Sequence, residues 1–402
     1  MTDGIPNELE IDLRQVRVLL VKHTLGGQYA LNGVAEDVER YLLEQDCHVV
    51  RVLAYPLNSS SEKSSSDRRY EDGVLQHIRH RRSRLHPPLS AIWQLFTSRH
   101  AESFDIVVGF NVVASIIAFR HARRNGTKVT WRIDFVPPQS RGHLIGWMNQ
   151  VLERRVLKVA DVHIENSSSA MSARSKFNSA SSSAVQHIAP VAAWPEWYVD
   201  STPSERPRNV VFLGGINTRT GSEILSAIVA DPTVHKHGIF IDIIGGGSEL
   251  DRVRSSVHPL NSASVTIHGV VKDENLITAI LGRSRLALAP YAPLDGSFTE
   301  FADPGKLKRY LAAGLPILTS EVPSVATQLA ETGGAEIIES SRGNSAWLER
   351  ILTLLDDVET LDSRAAAARA TSTDFLAQNV YGAAWRLIIE RGNQQLPQQR
   401  GA

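Results

Sequence analysis

One local pattern occurs twice in this chain and restricts its fold more than any other feature. An apolar strand run, Val16–Val21 (VRVLLV), leads to the glycine pair Gly26–Gly27. A helix from about Leu31 follows, with Val34, Val38, Tyr41 and Leu42 on one face, and then a second strand, Cys47–Leu53. The order restarts with strand Asn209–Leu213, glycines Gly214–Gly215, a helix over about 222–230, and strand Ile239–Ile244 opening onto Gly245–Gly247. A strand, a glycine turn, a helix and a second strand open a doubly wound sheet. Two such units predict an α/β chain of two doubly wound, Rossmann-like domains facing a cleft, and 402 residues suffice for both. The proline-rich, charged Ser201–Arg208 (STPSERPR) marks the boundary. The predicted division is 1–200, 207–375, and a C-terminal helix with its tail over 376–402 that crosses back to the first domain.

The remaining segments extend the same grammar. Leu57–Gly73 is serine-rich and charged and reads as a surface loop. Strand Phe104–Gly109, helix Val112–Arg124, strand Thr127–Arg132, a helix over about 144–158 and strand Asp161–Glu165 fill the first domain, with helix plus loop over 167–183. The second continues with strand Ser264–Ile267 ending in His268–Gly269, helix Asp273–Leu281, and strand Leu286–Pro290 ending in Tyr291. A run of helices from Ser345 to Arg391 closes the chain.

Candidate chemistry gathers at Phe298–Ser320 (FTEFADPGKLKRYLAAGLPILTS). Asp303 can cap a helix whose first turn suits Pro304. Leu307, Tyr310 and Leu311 give it one apolar face, Gly314 fits its left-handed end, and Pro316–Leu318 reads as a short strand. Free amides at the helix start, together with Lys306, suit a phosphate; the alternative is a well-capped helix with Lys306 solvated. Bare backbone at Gly26–Gly27 and Gly214–Gly215 lets a ligand approach; the alternative is a pair of turns that serve packing. With Arg219 beside the second pair, the two turns and Lys306 predict a polyphosphate site. Neither turn is GxGxxG and no Walker lysine is present, so the reading is not a nicotinamide, flavin or P-loop enzyme. Asp134, at a strand's carboxyl end before Pro137–Pro138, can take a proton from an acceptor hydroxyl; the alternative is a loop cap or a partner for Arg132.

On these residues the chain resembles nucleotide-sugar glycosyltransferases of the GT-B architecture. It is similar to the family 4-like bacterial group and to bacterial polysaccharide glucuronosyltransferases, most strongly over Asn209–Ser320 and LAAGLPILTS. The resemblance implies a C-terminal domain that holds a UDP- or GDP-type sugar and an N-terminal domain that holds a lipid-linked, glycan or small-molecule acceptor. It implies Gly214, Gly215 and Arg219 against the donor diphosphate, Lys306 as a donor-phosphate lysine, and Gly246, His268 and Tyr291 near the base or cleft. It places Gly26 and Gly27 on the acceptor side and Asp134 as catalytic base. The retaining group carries an acid five residues before the glycine of AxGxP, where this chain has Arg309. With Asp134 as base, inversion is the simpler chemistry. No metal or cofactor is expected, since cationic side chains and helix amides would neutralise the leaving diphosphate. The competing readings are a non-hydrolysing UDP-sugar 2-epimerase and a two-lobed, non-catalytic sugar-nucleotide-binding protein.

Composition narrows the partners. Forty-three basic residues balance forty-three acidic ones, so no global field points to nucleic acid. Cys47 is the only cysteine, which excludes an intrachain disulfide and a cysteine-rich metal site. The N-terminal MTDGIPNELEIDLRQ has no signal-peptide core, and no apolar run approaches the ~20 residues that span a bilayer. The expectation is a cytoplasmic protein, with peripheral membrane contact through residues 77–100 at most. That segment holds Arg79, Arg81, Arg82, Arg84 and Arg99, no acid, and Leu89, Ile92, Leu95 and Phe96 at helical spacing beside Trp93; the alternative is a core-packed helix after a solvated basic strand.

Overall fold

The computed structural model describes residues 13–24, 33–56, 64–82, 102–133, 135–137, 143–178, 183–294 and 297–395. The first domain carries β1 (Arg17–Thr24), β2 (Val49–Pro56), β3 (Ser64–Glu71), β4 (Val74–Arg82), β5 (Phe104–Gly109), β6 (Ala122–Arg132), β7 (Val162–Glu165) and β8 (Val185–Ile188). They form one sheet in the order β4-β3-β2-β1-β5-β6-β7-β8. Its β2-to-β8 portion is parallel, while β3 and β4 add antiparallel at the edge. Helices α1 (Val34–Glu44), α2 (Val112–Phe119), α3 (His143–Val159) and α4 (Ser168–Asn178) belong to this half.

The second domain is wholly parallel, in the order β11-β10-β9-β12-β13-β14. Its strands are β9 (Asn209–Leu213), β10 (Phe240–Ile244), β11 (Val265–Gly269), β12 (Leu286–Ala289), β13 (Ile317–Thr319) and β14 (Ala335–Ile337). Chain order reverses between β9 and β12, so the switch-point crevice lies beyond Leu213 and Ala289. Strands β9 and β12 are fully buried, as runs covered on both faces must be. Helices α5 (Ser222–Ala230), α6 (Glu274–Gly282) and α7 (Gly305–Ala312) accompany this sheet.

The chain ends in α8 (Ser345–Asp356), α9 (Val358–Asp374) and α10 (Ala377–Gln395). Helix α10 packs on the first domain: the Tyr381 ring lies 5.8 Å from Tyr41 and 5.9 Å from Trp131, and Trp385 is buried. The interdomain linker is tied down chemically. Arg206 donates to the carbonyls of Ser284 at 2.8 Å and Ala313 at 3.2 Å, satisfying acceptors past the ends of α6 and α7. Among the described residues, no helix is long and apolar enough to cross a membrane.

Two predicted elements are corrected. Part of the expected loop Leu57–Gly73 is strand β3. Its strand character rests on ion pairs, not on apolar alternation: Arg51 holds Asp67 at 2.8 Å and Glu102 at 2.9 Å, and Glu102 also takes Arg69 at 2.6 Å. The expected helix to Arg124 stops at Phe119, where β6 begins three residues later. Phe104 N–H donates to the His121 carbonyl at 2.9 Å, and Phe104 pairs with Ala122 across the sheet. Asn111 caps α2 by accepting from Ala114 N–H at 2.8 Å. Gly109 admits the helix, since a Cβ there would lie 2.2 Å from Ser115 Cα. The predicted helix around residues 89–96 lies outside the described residues.

Candidate active site in the interdomain cleft

Helix α7 is held by its buried face. Leu307, Tyr310 and Leu311 are fully buried. Tyr310 hydroxyl accepts from Leu213 N–H at 2.7 Å and donates to the Leu288 carbonyl at 3.2 Å, fastening the helix to both strands of the switch point. Gly314 has φ +62°, the left-handed end expected there. The expected cap is a correction: Pro304 occupies the N-cap position, and Asp303 does not cap. Asp303 accepts from Val191 N–H at 2.6 Å and pairs with buried Lys308, so the carboxylate locks α7 to the linker.

With Leu307, Tyr310 and Leu311 in the core and Lys308 buried against Asp303 and the Phe375 ring, Lys306 and Arg309 remain. They are three residues apart and share one face, and both line a cleft of about 330 Å³. The Lys306 stem reaches this cleft while its ammonium is hidden from solvent. Nζ lies 4.3 Å from the Phe212 ring centroid and 4.6 Å from that of Tyr291, with no hydrogen-bond partner. Burial pushes its pKa down from 10.5 to about 7. Gly214 (φ +131°) covers it so closely that a Cβ there would sit 3.4 Å from Nζ. Gly214, Gly215, Thr220 and the first turn of α7, Pro304 to Lys306, complete this wall.

The facing wall comes from α1 and the linker. Asp37, Arg40, Trp194, Glu196 and Trp197 line it. Trp194 Nε1 donates to Asp37 at 3.2 Å, and the Arg40 guanidinium stacks 3.7 Å over the Trp194 ring while pairing with Glu196. Burial raises the Asp37 carboxyl to about 7, against the Trp194 bond. Burial acts upward on Glu196 as the largest single effect, but the Arg40 bond, a backbone hydrogen bond and the charges of Arg40 and Arg309 together outweigh it and hold that carboxyl below its ordinary value.

The cleft thus gathers Gly214, Gly215, Tyr291 and Lys306, and leaves other expected residues elsewhere. The Arg219 side chain is exposed, its carbonyl accepts from Ala292 N–H at 3.0 Å, and Thr220 lines the cleft in its place. The Gly246 carbonyl accepts from Ile216 N–H at 2.9 Å, so that residue joins two loops. Gly245 and Gly247 serve the same packing, since a Cβ on either would strike the carbonyl of Gly214 or Ile216. His268 Nε2 lies 2.6 Å from Asp242, which also binds Asn209 at 2.7 Å and Arg283 at 2.8 Å, in a network away from the cleft lining. Gly26, Gly27 and Asp134 lie outside the described residues. Sequence reasoning did not single out Asp37, Trp194, Trp197 or Glu274 as site residues, and gave Arg309 no ligand role.

Known proteins resemble this arrangement. Residues 207–357 match the family described as glycosyl transferases group 1. No curated protein matches the sequence. A sucrose-phosphate synthase from Thermosynechococcus elongatus superposes with a TM-score of 0.68 at 13% identity, over 93% of this chain and 99% of the other. WaaG, a glycosyltransferase involved in lipopolysaccharide biosynthesis, gives 0.62 at 15% identity, over 92% and 99%. Anabaena HepE in complex with UDP gives 0.61 at 14% identity, over 93% and 100%. The chain therefore has the two-domain GT-B fold of these solved structures, and its residues 207–357 match the family of glycosyl transferases group 1.

Proposed function

We propose that the cleft binds a nucleoside diphosphate sugar and passes its sugar to an acceptor held by the first domain. The observation that carries this reading is the Lys306 ammonium, buried without an anionic partner, beneath Gly214 at the switch point and at the start of α7. A buried, uncompensated cation is costly, and a diphosphate laid on the glycine turn and the free amides of α7 compensates it. In the reaction, the acceptor hydroxyl loses its proton to Asp134 and its oxygen attacks the anomeric carbon. The bond from that carbon to the diphosphate breaks, and its electron pair leaves on the phosphate. Positive groups already in place then stabilise the developing charge. Solved neighbours carrying UDP and UDP-glucose make uridine nucleotides the first probes.

UDP should raise the melting temperature, because a ligand bound by the folded state alone stabilises it by about 2.7 kcal/mol at a hundred times its Kd. GDP serves as the base control. No shift with either nucleotide, measured by differential scanning fluorimetry, removes the donor-site reading.

A lipid-linked acceptor fits the edge of the first sheet. Strand β4 exposes Val74, Leu75 and Ile78 beside His77 and Arg79. We place this strand, and with it residues 77–100, on an anionic membrane surface at the cytoplasmic side. Flotation with anionic liposomes should fall when Arg79, Arg81 and Arg82 are changed to Gln. Equal flotation of the two proteins rules the contact out.

A further inference from the structure

We propose that Arg309 is the second cation of the diphosphate site, with its Nη1 reserved for a phosphate oxygen and its Nη2 held in place by Glu274. The inference rests on the donor-site reading above and names the residue that completes it.

Arg309 lies one turn beyond Lys306 on the face of α7 that lines the cleft. Its side chain is 7% exposed, yet Nη1 has no partner. Nη2 donates to Glu274 at 2.5 Å, and the guanidinium plane lies 4.2 Å over the Trp197 ring. These two contacts fix the fork and leave one arm unused. A buried guanidinium nitrogen left unpaired is unfavourable unless a ligand completes it.

The other charges of the cleft do not supply that ligand. Glu196 is engaged by Arg40. Asp37 is bonded to Trp194 and, with its carboxyl at about 7, carries only part of a charge at neutral pH. Glu274 already takes Nη2. An anion entering along Gly214 and Gly215 therefore meets Lys306 and the free arm of Arg309 on one helix face. The two cations differ in kind. Lys306 titrates near neutrality in its buried place, whereas a guanidinium keeps its charge across the working range and can grip a phosphate in its plane.

The position is one where the resembling retaining enzymes carry an acid, so the sign of the charge is reversed at this point of the helix. The reversal also explains why Arg219 can stay outside the cleft lining: the arginine of the site comes from the helix and not from the glycine turn.

Calorimetric titration with UDP, GDP, uridine and inorganic pyrophosphate tests this. Arg309→Gln should weaken UDP and pyrophosphate by roughly ten- to hundredfold while changing uridine less than about threefold, the ordinary scatter for a contact not made. Arg309→Lys, which keeps a positive charge but loses the planar fork, should recover only part of that loss. If Arg309→Gln does not fold, Arg309→Lys decides alone: UDP and pyrophosphate affinities unchanged from wild type there overturn the assignment. Unchanged UDP and pyrophosphate affinity in folded Arg309→Gln also overturns it. If wild type binds pyrophosphate through Arg309 but neither nucleotide, the donor reading falls and the cation pair stands. If wild type binds none of the phosphates, both fall.

Discussion

Lys306→Met should make the ligand-free protein more stable and the ligand-binding protein inert. The ammonium is buried between two aromatic rings without a hydrogen-bond partner. Burial alone accounts for the fall of its pKa from 10.5 to about 7. Each tenfold change in proton affinity is worth about 1.4 kcal/mol, so holding this group charged costs the fold on the order of 3–5 kcal/mol. The sign follows from proton counting. Between pH 7 and 10.5 the unfolded chain binds the proton that the folded chain has released, so wild-type stability rises with pH across that window. Methionine fills a similar volume, keeps the contact with the rings, and removes the titration. The variant should therefore gain several degrees in melting temperature at pH 6, and the gain should shrink toward pH 10. It should give no UDP-induced shift, because the charge that the diphosphate meets is gone. Wild type should also take up protons on binding UDP at pH 7.5, read as a binding enthalpy that changes with the ionisation heat of the buffer. An unchanged melting temperature at pH 6, or retained UDP affinity, shows that Lys306 is neither strained nor a ligand.

That trade of stability for a binding charge also marks where the sequence was readable and where it was not. The α7 stretch was legible because every step has a local cause: apolar spacing at Leu307, Tyr310 and Leu311, a glycine at the left-handed end, and a lysine in the first turn. The glycine turn after β9 was legible for the same reason. Strand β3 was not, since Arg51, Asp67, Arg69 and Glu102 stabilise it by pairing across strands, and such pairs have no period along the chain. The cap assigned to Asp303 went astray because the carboxylate had a better partner, Lys308, and the Val191 N–H, 112 positions away. Arg219 was assigned to the site by its nearness to the glycines in sequence, whereas Arg309 reaches the cleft by lying on the same helix face as Lys306. The facing wall was hidden most deeply. Trp194 and Trp197 sit in a linker that reads only as a turn, and Asp37 looks like any acid in the first turn of a helix.

Asp37→Asn should raise stability above neutral pH and leave it unchanged near pH 4. The carboxyl is buried on α1, and its hydrogen bond comes from the neutral Trp194 Nε1 at 3.2 Å. Burial pushes its pKa from 3.8 to about 7, Glu36 adds to the rise, and Trp194, Arg309 and Arg40 only partly oppose it. Between those two values the folded chain keeps a proton that the unfolded chain has lost. Stability therefore falls as pH rises from about 4 to about 7, and stays lowered above that. The full cost is on the order of 4 kcal/mol. Asparagine has the same shape, can still accept from Trp194, and carries no charge to desolvate. Urea unfolding at pH 4 and pH 8 should give coincident midpoints at the acid pH and a higher midpoint for the variant at pH 8. A carboxyl kept at such a cost, on the wall facing Lys306, is one that the cleft uses or one that its closure around a ligand relieves. Adding UDP distinguishes the two, since relief by closure predicts a smaller difference between variant and wild type at pH 8 when the nucleotide is bound. Coincident midpoints at pH 8 without ligand would mean that Asp37 is already charged and compensated, and that burial has been offset by Arg40 and Arg309 in full.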